Sequence, residues 1–108
     1  MKISYDEYQR LSFLIVATMK EFDAQGTEHV MQCDLINRMV QKLEVENADA
    51  STSMEKSIET SKKVSNVISH LITREHVLMI SQDSRVKNDR YLTLAISEQM
   101  GNLSLGKQ

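Results

Sequence analysis

Apolar residues recur with helical spacing between Thr52 and Ile72, and this segment organises the interpretation of the whole chain. Projected at about 100° per residue, its apolar side chains share one arc: Met54, Ile58, Val64, Val67, Ile68, Leu71 and Ile72. Thr52 and Glu55 have the spacing of a capping box, which satisfies free backbone N–H groups at a helix start. We therefore predict a helix that ends around residues 74–76 and leads into a buried strand at residues 77–80.

Two more helices are predicted upstream. Ser4 and Glu7 form another capping box, so the first helix runs from Tyr5 to about Phe22, and Gly26 marks its end. Its apolar face consists of Tyr5, Tyr8, Leu11, Ile15, Val16, Met19 and Phe22. Phe13 falls off this face, and we expect it to cover a neighbouring element rather than to meet a partner. The second helix spans residues 33–46 and buries Leu35, Ile36, Met39, Val40 and Leu43, whereas Val45 is an apolar outlier on its polar side.

The remaining segments complete a fold. Residues 29–31 fit a short edge strand, residues 47–53 a flexible polar connection, and residues 81–90 a charged turn before an alternating strand at residues 91–96. The resulting order is helix, strand, helix, helix, strand, strand. The sequence therefore predicts an α+β winged helix: a three-helix helix-turn-helix core with a small antiparallel β-hairpin wing. We assign this domain to residues 1–96 and a flexible C-terminal tail to residues 97–108.

Composition narrows the function. The chain has 108 residues and a net charge of −2, which fits one domain without a strongly basic surface. Cys33 is the single cysteine, so neither an intrachain disulfide nor a cysteine-based metal site is expected. The three glycines cannot build a glycine-rich phosphate loop. The longest apolar run is too short to span a bilayer, so we expect no membrane partner.

No catalytic motif is apparent. His29, His70 and His76 lack metal-ligand spacing, and neither a nucleophile elbow nor a P-loop is present. We expect no active site, metal or cofactor in this chain. A row of serines at four-residue spacing, Ser57, Ser61, Ser65 and Ser69, is interpreted as close helix packing with hydroxyls bonded to i−4 carbonyls, in preference to a phosphorylation row.

Two charged surfaces remain as binding candidates. A DNA-reading winged helix would contact DNA through its third helix and its wing. In this chain the candidate residues on the helix are Lys62, Lys63, Asn66 and His70, and those in the wing are Arg85, Lys87 and Arg90. Glu55 and Glu59 on the same helix would oppose phosphates. The second candidate is an acidic cluster around Val45 and Met54, formed by Glu44, Glu46, Asp49, Glu55 and Glu59. It is either a solvated acidic turn or a dock for a basic amphipathic element.

Several strings resemble a known family. Residues 3–12 (ISYDEYQRLS) followed by Leu14, Ile15 and Val16 resemble the start of the C-terminal domain of minichromosome maintenance subunit six. Residues 34–37 (DLIN), residues 67–71 (VISHL) with residues 76–78, and the pair Tyr91 and Leu92 resemble later parts of that domain. The resemblance covers about residues 3–96, with a longer connection at residues 47–53.

This resemblance implies a winged helix that follows the ATPase module of one subunit of the hexameric nuclear replicative helicase. ATP and Mg²⁺ would belong to that module, which is absent here. The family's domain is associated with the replication licensing factor, through that factor's own C-terminal winged helix. By position, the implied contact residues are Glu44, Glu46, Met54, Glu55 and Ile58.

The leading hypothesis is thus a non-catalytic interaction module that docks the licensing factor during helicase loading at origins. The alternative is a DNA-binding winged helix that uses Lys62, Lys63, Asn66, Arg85 and Lys87, although we expect DNA contact by this domain to be weak or absent.

Overall fold

The computed structural model describes residues 3–46 and 54–95 of the chain. Three helices and a small sheet follow one another in the predicted order: α1 (Tyr5–Ala24), β1 (Val30–Met31), α2 (Gln32–Glu46), α3 (Met54–Thr73), β2 (Leu78–Gln82), a single 3-10 turn (Lys87–Asp89) and β3 (Tyr91–Leu94). This arrangement confirms the α+β winged helix with its β-hairpin wing.

Helix α1 begins and ends where the sequence places its signals. Ser4 is the N-cap, and its hydroxyl oxygen accepts a hydrogen bond from the Glu7 backbone N–H at 3.1 Å. Gly26 follows the helix with φ +93°, a left-handed conformation that glycine adopts without a Cβ penalty. The Thr27 N–H then donates to the Phe22 carbonyl at 2.8 Å, which closes the helix end.

The sheet is antiparallel with the order β1-β3-β2, so β3 is the central strand. Leu92 in β3 faces Val30 in β1 and Ile80 in β2, and a register shift separates Ile80 from Gln82. The predicted hairpin and the edge position of β1 are confirmed. The strand predicted at residues 77–80 is present as β2, but its predicted burial is wrong, because β2 is the other edge strand and contributes one buried side chain, Leu78.

One core joins the helices to the sheet. Its buried side chains come from α1 (Leu11, Ile15, Met19), α2 (Leu35, Ile36, Met39), α3 (Val64, Val67, Ile68, Leu71) and the strands (Val30, Leu78, Leu92, Leu94). The predicted face of α2 and the C-terminal two thirds of the predicted face of α3 are confirmed. Side chains at the edge of these stripes, such as Val40, Leu43 and Ile72, pack against the core while partly exposed.

Four apolar side chains are more exposed than predicted. Tyr5, Met54 and Ile58 belong to the predicted buried arcs, yet their exposed fractions are 71%, 77% and 48%. Phe13, expected to cover a neighbouring element, is 73% exposed. Helical spacing fixes only the side of a helix on which a residue lies, whereas burial also requires another element at that height.

Three sequence predictions fall outside the described residues. They are the flexible connection at residues 47–53, the Thr52 cap of α3, and the tail at residues 97–108.

Gln32, the first residue of α2, ties that helix to the wing. Its side chain is fully buried, and its Oε1 accepts a hydrogen bond from Arg90 Nε at 2.7 Å. The Gln32 backbone N–H also donates to the Arg90 carbonyl at 2.8 Å. A buried amide bonded to a guanidinium is costly to leave half-paired. Sequence reasoning missed this contact, because the two residues are far apart in the chain.

Gln32→Leu should destabilise the domain by about 1–3 kcal/mol, since it conserves volume and leaves the half-buried Arg90 without its acceptor. Urea unfolding followed by circular dichroism measures the change in the free energy of unfolding. Gln41→Leu, on the exposed side of the same helix, is the matched control. Equal losses for the two variants would contradict the proposed role of Gln32.

Candidate partner-binding surface at the junction of α2 and α3

A hydrogen bond joins the end of α2 to the start of α3. The Ser57 hydroxyl donates to Glu44 Oε2 at 2.9 Å, and both side chains are half-buried. The next serine along the ridge, Ser61, donates instead to the Ser57 carbonyl at 2.9 Å. The predicted i−4 bonding of the serine row thus holds for Ser61, whereas Ser57 has a tertiary partner. The Glu44–Ser57 bond fixes the relative position of the two helix ends.

Exposed apolar side chains lie on both helix ends that this bond joins. Val45 follows Glu44 in α2 and is 76% exposed. Ile58 follows Ser57 in α3, and Met54 lies one helical turn before Ile58 on the same side of the helix. Large apolar groups that are clustered on a monomer surface typically mark an interaction site. We call the surface formed by Glu44, Val45, Met54, Glu55, Ile58 and Glu59 the junction surface.

The junction surface is negatively charged. Glu55 and Glu59 are exposed and lie one turn apart on α3, and Glu44 adds a third carboxylate, against one ammonium group from the exposed Lys56. Glu55 also lies in the first turn of α3, where a negative charge stabilises the helix dipole. On α2, Lys42 contributes little to this balance, because its Nζ turns away to α1 and pairs with Glu21 at 2.8 Å.

Four of the five residues proposed for partner contact lie on this surface: Glu44, Met54, Glu55 and Ile58. Glu46 ends α2, and its side chain lies outside the described part of the structure. Sequence reasoning placed Val45 at the centre of the acidic cluster but not among the five contact residues, and it did not assign Ser57 to the site. Val45 carried a signal, as an apolar residue on a polar helix face. Ser57 carried none that distinguishes it from the other serines in its row.

The family assignment agrees with this geometry. The family model described as the MCM6 C-terminal winged-helix domain matches residues 1–101. The chain belongs to this family. The MCM6 assignment makes the domain part of a minichromosome maintenance helicase subunit with a role in DNA replication, and winged-helix domains of this kind are generally non-catalytic. No curated protein and no solved structure matches the chain significantly.

The candidate DNA contacts of this MCM6 domain lie on two elements. On α3, Lys62 and Asn66 are exposed, but Lys63 Nζ pairs with Glu7 Oε2 of α1 at 3.1 Å. Arg85 and Lys87 are exposed between β2 and β3. Arg90, at the base of the wing, donates to the Gln32 side chain. The paired Lys63 and Arg90 are therefore less available to phosphates than the sequence suggests.

The remaining groups that could react, bind a metal or enter a membrane are the histidines, Cys33, the carboxylates and the long helices. The His70 ring packs edge-on against Tyr8, with centroids 5.9 Å apart. Burial, followed by the Asp34 and Asp89 carboxylates, raises the pKa of the Cys33 thiol. Within the described ranges, no three His, Cys, Asp or Glu side chains are grouped as a metal site. No helix in residues 3–46 and 54–95 has the length and apolar character needed to cross a membrane.

A double-mutant cycle of Glu44→Gln and Ser57→Ala should give a coupling energy of about 0.5–1.5 kcal/mol, because the hydrogen bond is partly shielded from water. Urea unfolding of the four proteins provides the measurement. The control cycle pairs Ser57→Ala with Glu59→Gln, whose carboxylate lies in solvent, and its coupling should be near zero. Indistinguishable couplings would show that the Glu44–Ser57 bond does not hold the junction.

Proposed function

We propose that this MCM6 winged helix is a non-catalytic protein-interaction module whose junction surface docks a partner during helicase loading in the nucleus. The observation that carries the proposal is the exposure of Val45, Met54 and Ile58 on the two helix ends that the Glu44–Ser57 bond joins, together with three carboxylates on the same helix ends. The partner we propose is the replication licensing factor, through its C-terminal winged helix.

The recognition chemistry follows from the surface. Burial of Met54 and Ile58 supplies the non-directional part of the binding free energy, at roughly 25 cal/mol per Å² of apolar area removed from water. The flexible thioether of Met54 adapts to the shape of a partner. Glu55 and Glu59 favour a partner whose apolar residues are flanked by lysine or arginine, and they raise the association rate by long-range attraction. No covalent step is involved.

The helix ends are well suited to this task, because they are held before the partner arrives. The Glu44–Ser57 bond and the packed middle of α3 fix the direction of both helices. Binding then requires ordering of a few exposed side chains rather than of the backbone, which lowers its entropic cost. We expect a modest interface with micromolar affinity, as for other transient regulatory contacts.

The double variant Met54→Ser with Ile58→Ser should weaken partner binding about tenfold or more, since truncation of central apolar contacts costs more than about 1.4 kcal/mol. Isothermal titration calorimetry with the licensing factor's C-terminal domain gives the dissociation constant. The fold should survive, because both side chains are exposed.

The matched control is Met79→Ser with Val86→Ser, which removes two exposed apolar side chains from the wing. This variant should bind the partner like the unmodified domain. Equal weakening by both double variants, or by the control alone, would place the partner contact outside the junction surface.

Duplex DNA is the ligand that separates this proposal from the DNA-binding alternative. The net charge of −2, the Lys63–Glu7 pair and the acidic start of α3 all weigh against phosphate binding. We expect no measurable binding of duplex DNA at physiological salt. A salt titration by fluorescence anisotropy checks this.

Affinity that falls steeply with salt concentration, and that is lost in Lys62→Ala with Lys63→Ala but kept in Lys20→Ala, would favour the DNA-binding alternative. Lys20 is a suitable control because it is exposed on α1, outside the candidate DNA contacts.

A further inference from the structure

The side of helix α1 that faces away from the core has an aromatic ring at its centre. Phe13 lies about 160° around the helix axis from both Leu11 and Ile15, which enter the core. It is accordingly 73% exposed in the complete chain. Val16 and Ala17, one turn further along the same side, are half-buried and extend the apolar surface. The centre of this side of α1 is therefore apolar.

Two opposite charges flank Phe13 at equal distances. Asp6 lies seven residues before it and Lys20 seven residues after it, so each is about 10 Å away along the helix and within about 20° around its axis. Both side chains are exposed, and neither has a hydrogen bond or an ion pair within the described residues. We call this side of α1 the outer stripe, and it consists of Asp6, Gln9, Arg10, Phe13, Val16, Ala17 and Lys20; all but Ala17 line one surface groove.

The outer stripe is complementary to itself. In a two-fold symmetric contact, residue i of one copy meets residue j of the other, and residue j meets residue i. Two antiparallel α1 helices with Phe13 at the symmetry axis place opposite one another the positions that are equally far from Phe13 on its two sides. Asp6 of each copy then faces Lys20 of the other. The remaining positions pair in the same way, Gln9 with Ala17 and Arg10 with Val16.

The charges also select the direction of the second copy. A parallel pair of α1 helices in register would place Asp6 against Asp6 and Lys20 against Lys20, and such like-charge contacts oppose association. Antiparallel helices that cross at about 20° pack with their axes about 8–10 Å apart, a space that two offset or edge-on phenyl rings fill. Exposed ion pairs contribute little to affinity, so the apolar centre supplies the attraction and the charged ends set the orientation.

We propose that the outer stripe of α1 is the interface of an antiparallel, two-fold symmetric dimer of this chain, in which Phe13 packs against Phe13 of a second copy and Asp6 pairs with Lys20 of that copy at both ends. The contact uses one helix face of each copy, so the dimer is weak and forms at high local concentration. The junction surface, on α2 and α3, shares no residue with the outer stripe and stays open for its own partner.

Sedimentation equilibrium of the 108-residue chain, from about 10 μM to about 1 mM, covers the range of a weak contact. A reducing agent keeps the free Cys33 from cross-linking two chains. The apparent mass should rise with concentration from 12.4 kDa towards twice that value. Phe13→Ser should remove the rise and leave the circular dichroism spectrum unchanged, because Phe13 is exposed. Val45→Ser, which removes an equally exposed apolar side chain from the junction surface, should associate like the unmodified chain.

A charge exchange tests the pairing itself. Asp6→Lys alone and Lys20→Glu alone should each lose self-association, since each variant places like charges opposite one another at both ends. An equimolar mixture of the two variants should associate again, because each end of the mixed dimer then joins a lysine to a carboxylate. Lys62→Glu makes the same charge change on α3, outside the outer stripe, and should keep the self-association of the unmodified chain.

Three results would overturn the proposal. They are an apparent mass of 12.4 kDa at every concentration, self-association that persists in Phe13→Ser, and a mixture of the two charge variants that stays monomeric. Amide NMR spectra recorded over the same concentrations should shift at residues 6–20, and shifts at the junction surface instead would also contradict it. None of these results bears on the proposed function, which is tested through Met54 and Ile58.

Discussion

The central position of β3 is the constraint on which the rest of this domain depends. Leu92 is fully buried and pairs with a residue of each edge strand. The edge strands β1 and β2 are hydrogen-bonded to β3 and not to each other. The residue before this strand, Arg90, holds Gln32 at the first turn of α2. With one cysteine in the chain, no intrachain disulfide supplements these contacts. The wing and α2 are therefore anchored at the same point, and the single core depends on that anchor.

The candidate site lies at the far end of α2, about 20 Å from this anchor, given 1.5 Å per residue. There the Glu44–Ser57 hydrogen bond joins α2 to α3, just as the Gln32–Arg90 bond joins α2 to the wing at the near end. Because both ends of α2 are tied, Val45, Met54 and Ile58 are presented on a rigid frame. The surface is thus preorganised, although each of its apolar side chains is individually exposed.

The domain exposes apolar side chains in two places that differ in their surroundings. The junction surface is rimmed by carboxylates and lies beside the ends of two helices, which fits a charged partner from another protein. On α1, Tyr5 and Phe13 are exposed to 71% and 73%, and the Ser12 hydroxyl beside Phe13 in the chain is shielded from solvent without a hydrogen-bond partner among the described residues.

Much of the fold follows from the sequence because its signals are local. Ser4 and Gly26 bound α1, the apolar spacing of Leu35, Ile36 and Met39 selects the buried face of α2, and alternation identifies β3. The element order then leads to the winged helix, and the strings that resemble the MCM6 domain lead to the family that the comparison confirmed. The acidic character of the junction was equally visible, since charge is a property of residue type.

Tertiary structure decided which members of each apolar stripe are buried. Met54 and Ile58 have the same spacing as Val64 and Ile68, but only the latter pair meets α1 and α2 at the height of the core. The partners of Ser57, Lys63 and Gln32 were likewise fixed only by folding, because each bonds to a residue distant in the chain. Local periodicity specifies direction around a helix axis, whereas burial and pairing depend on what the rest of the chain places there.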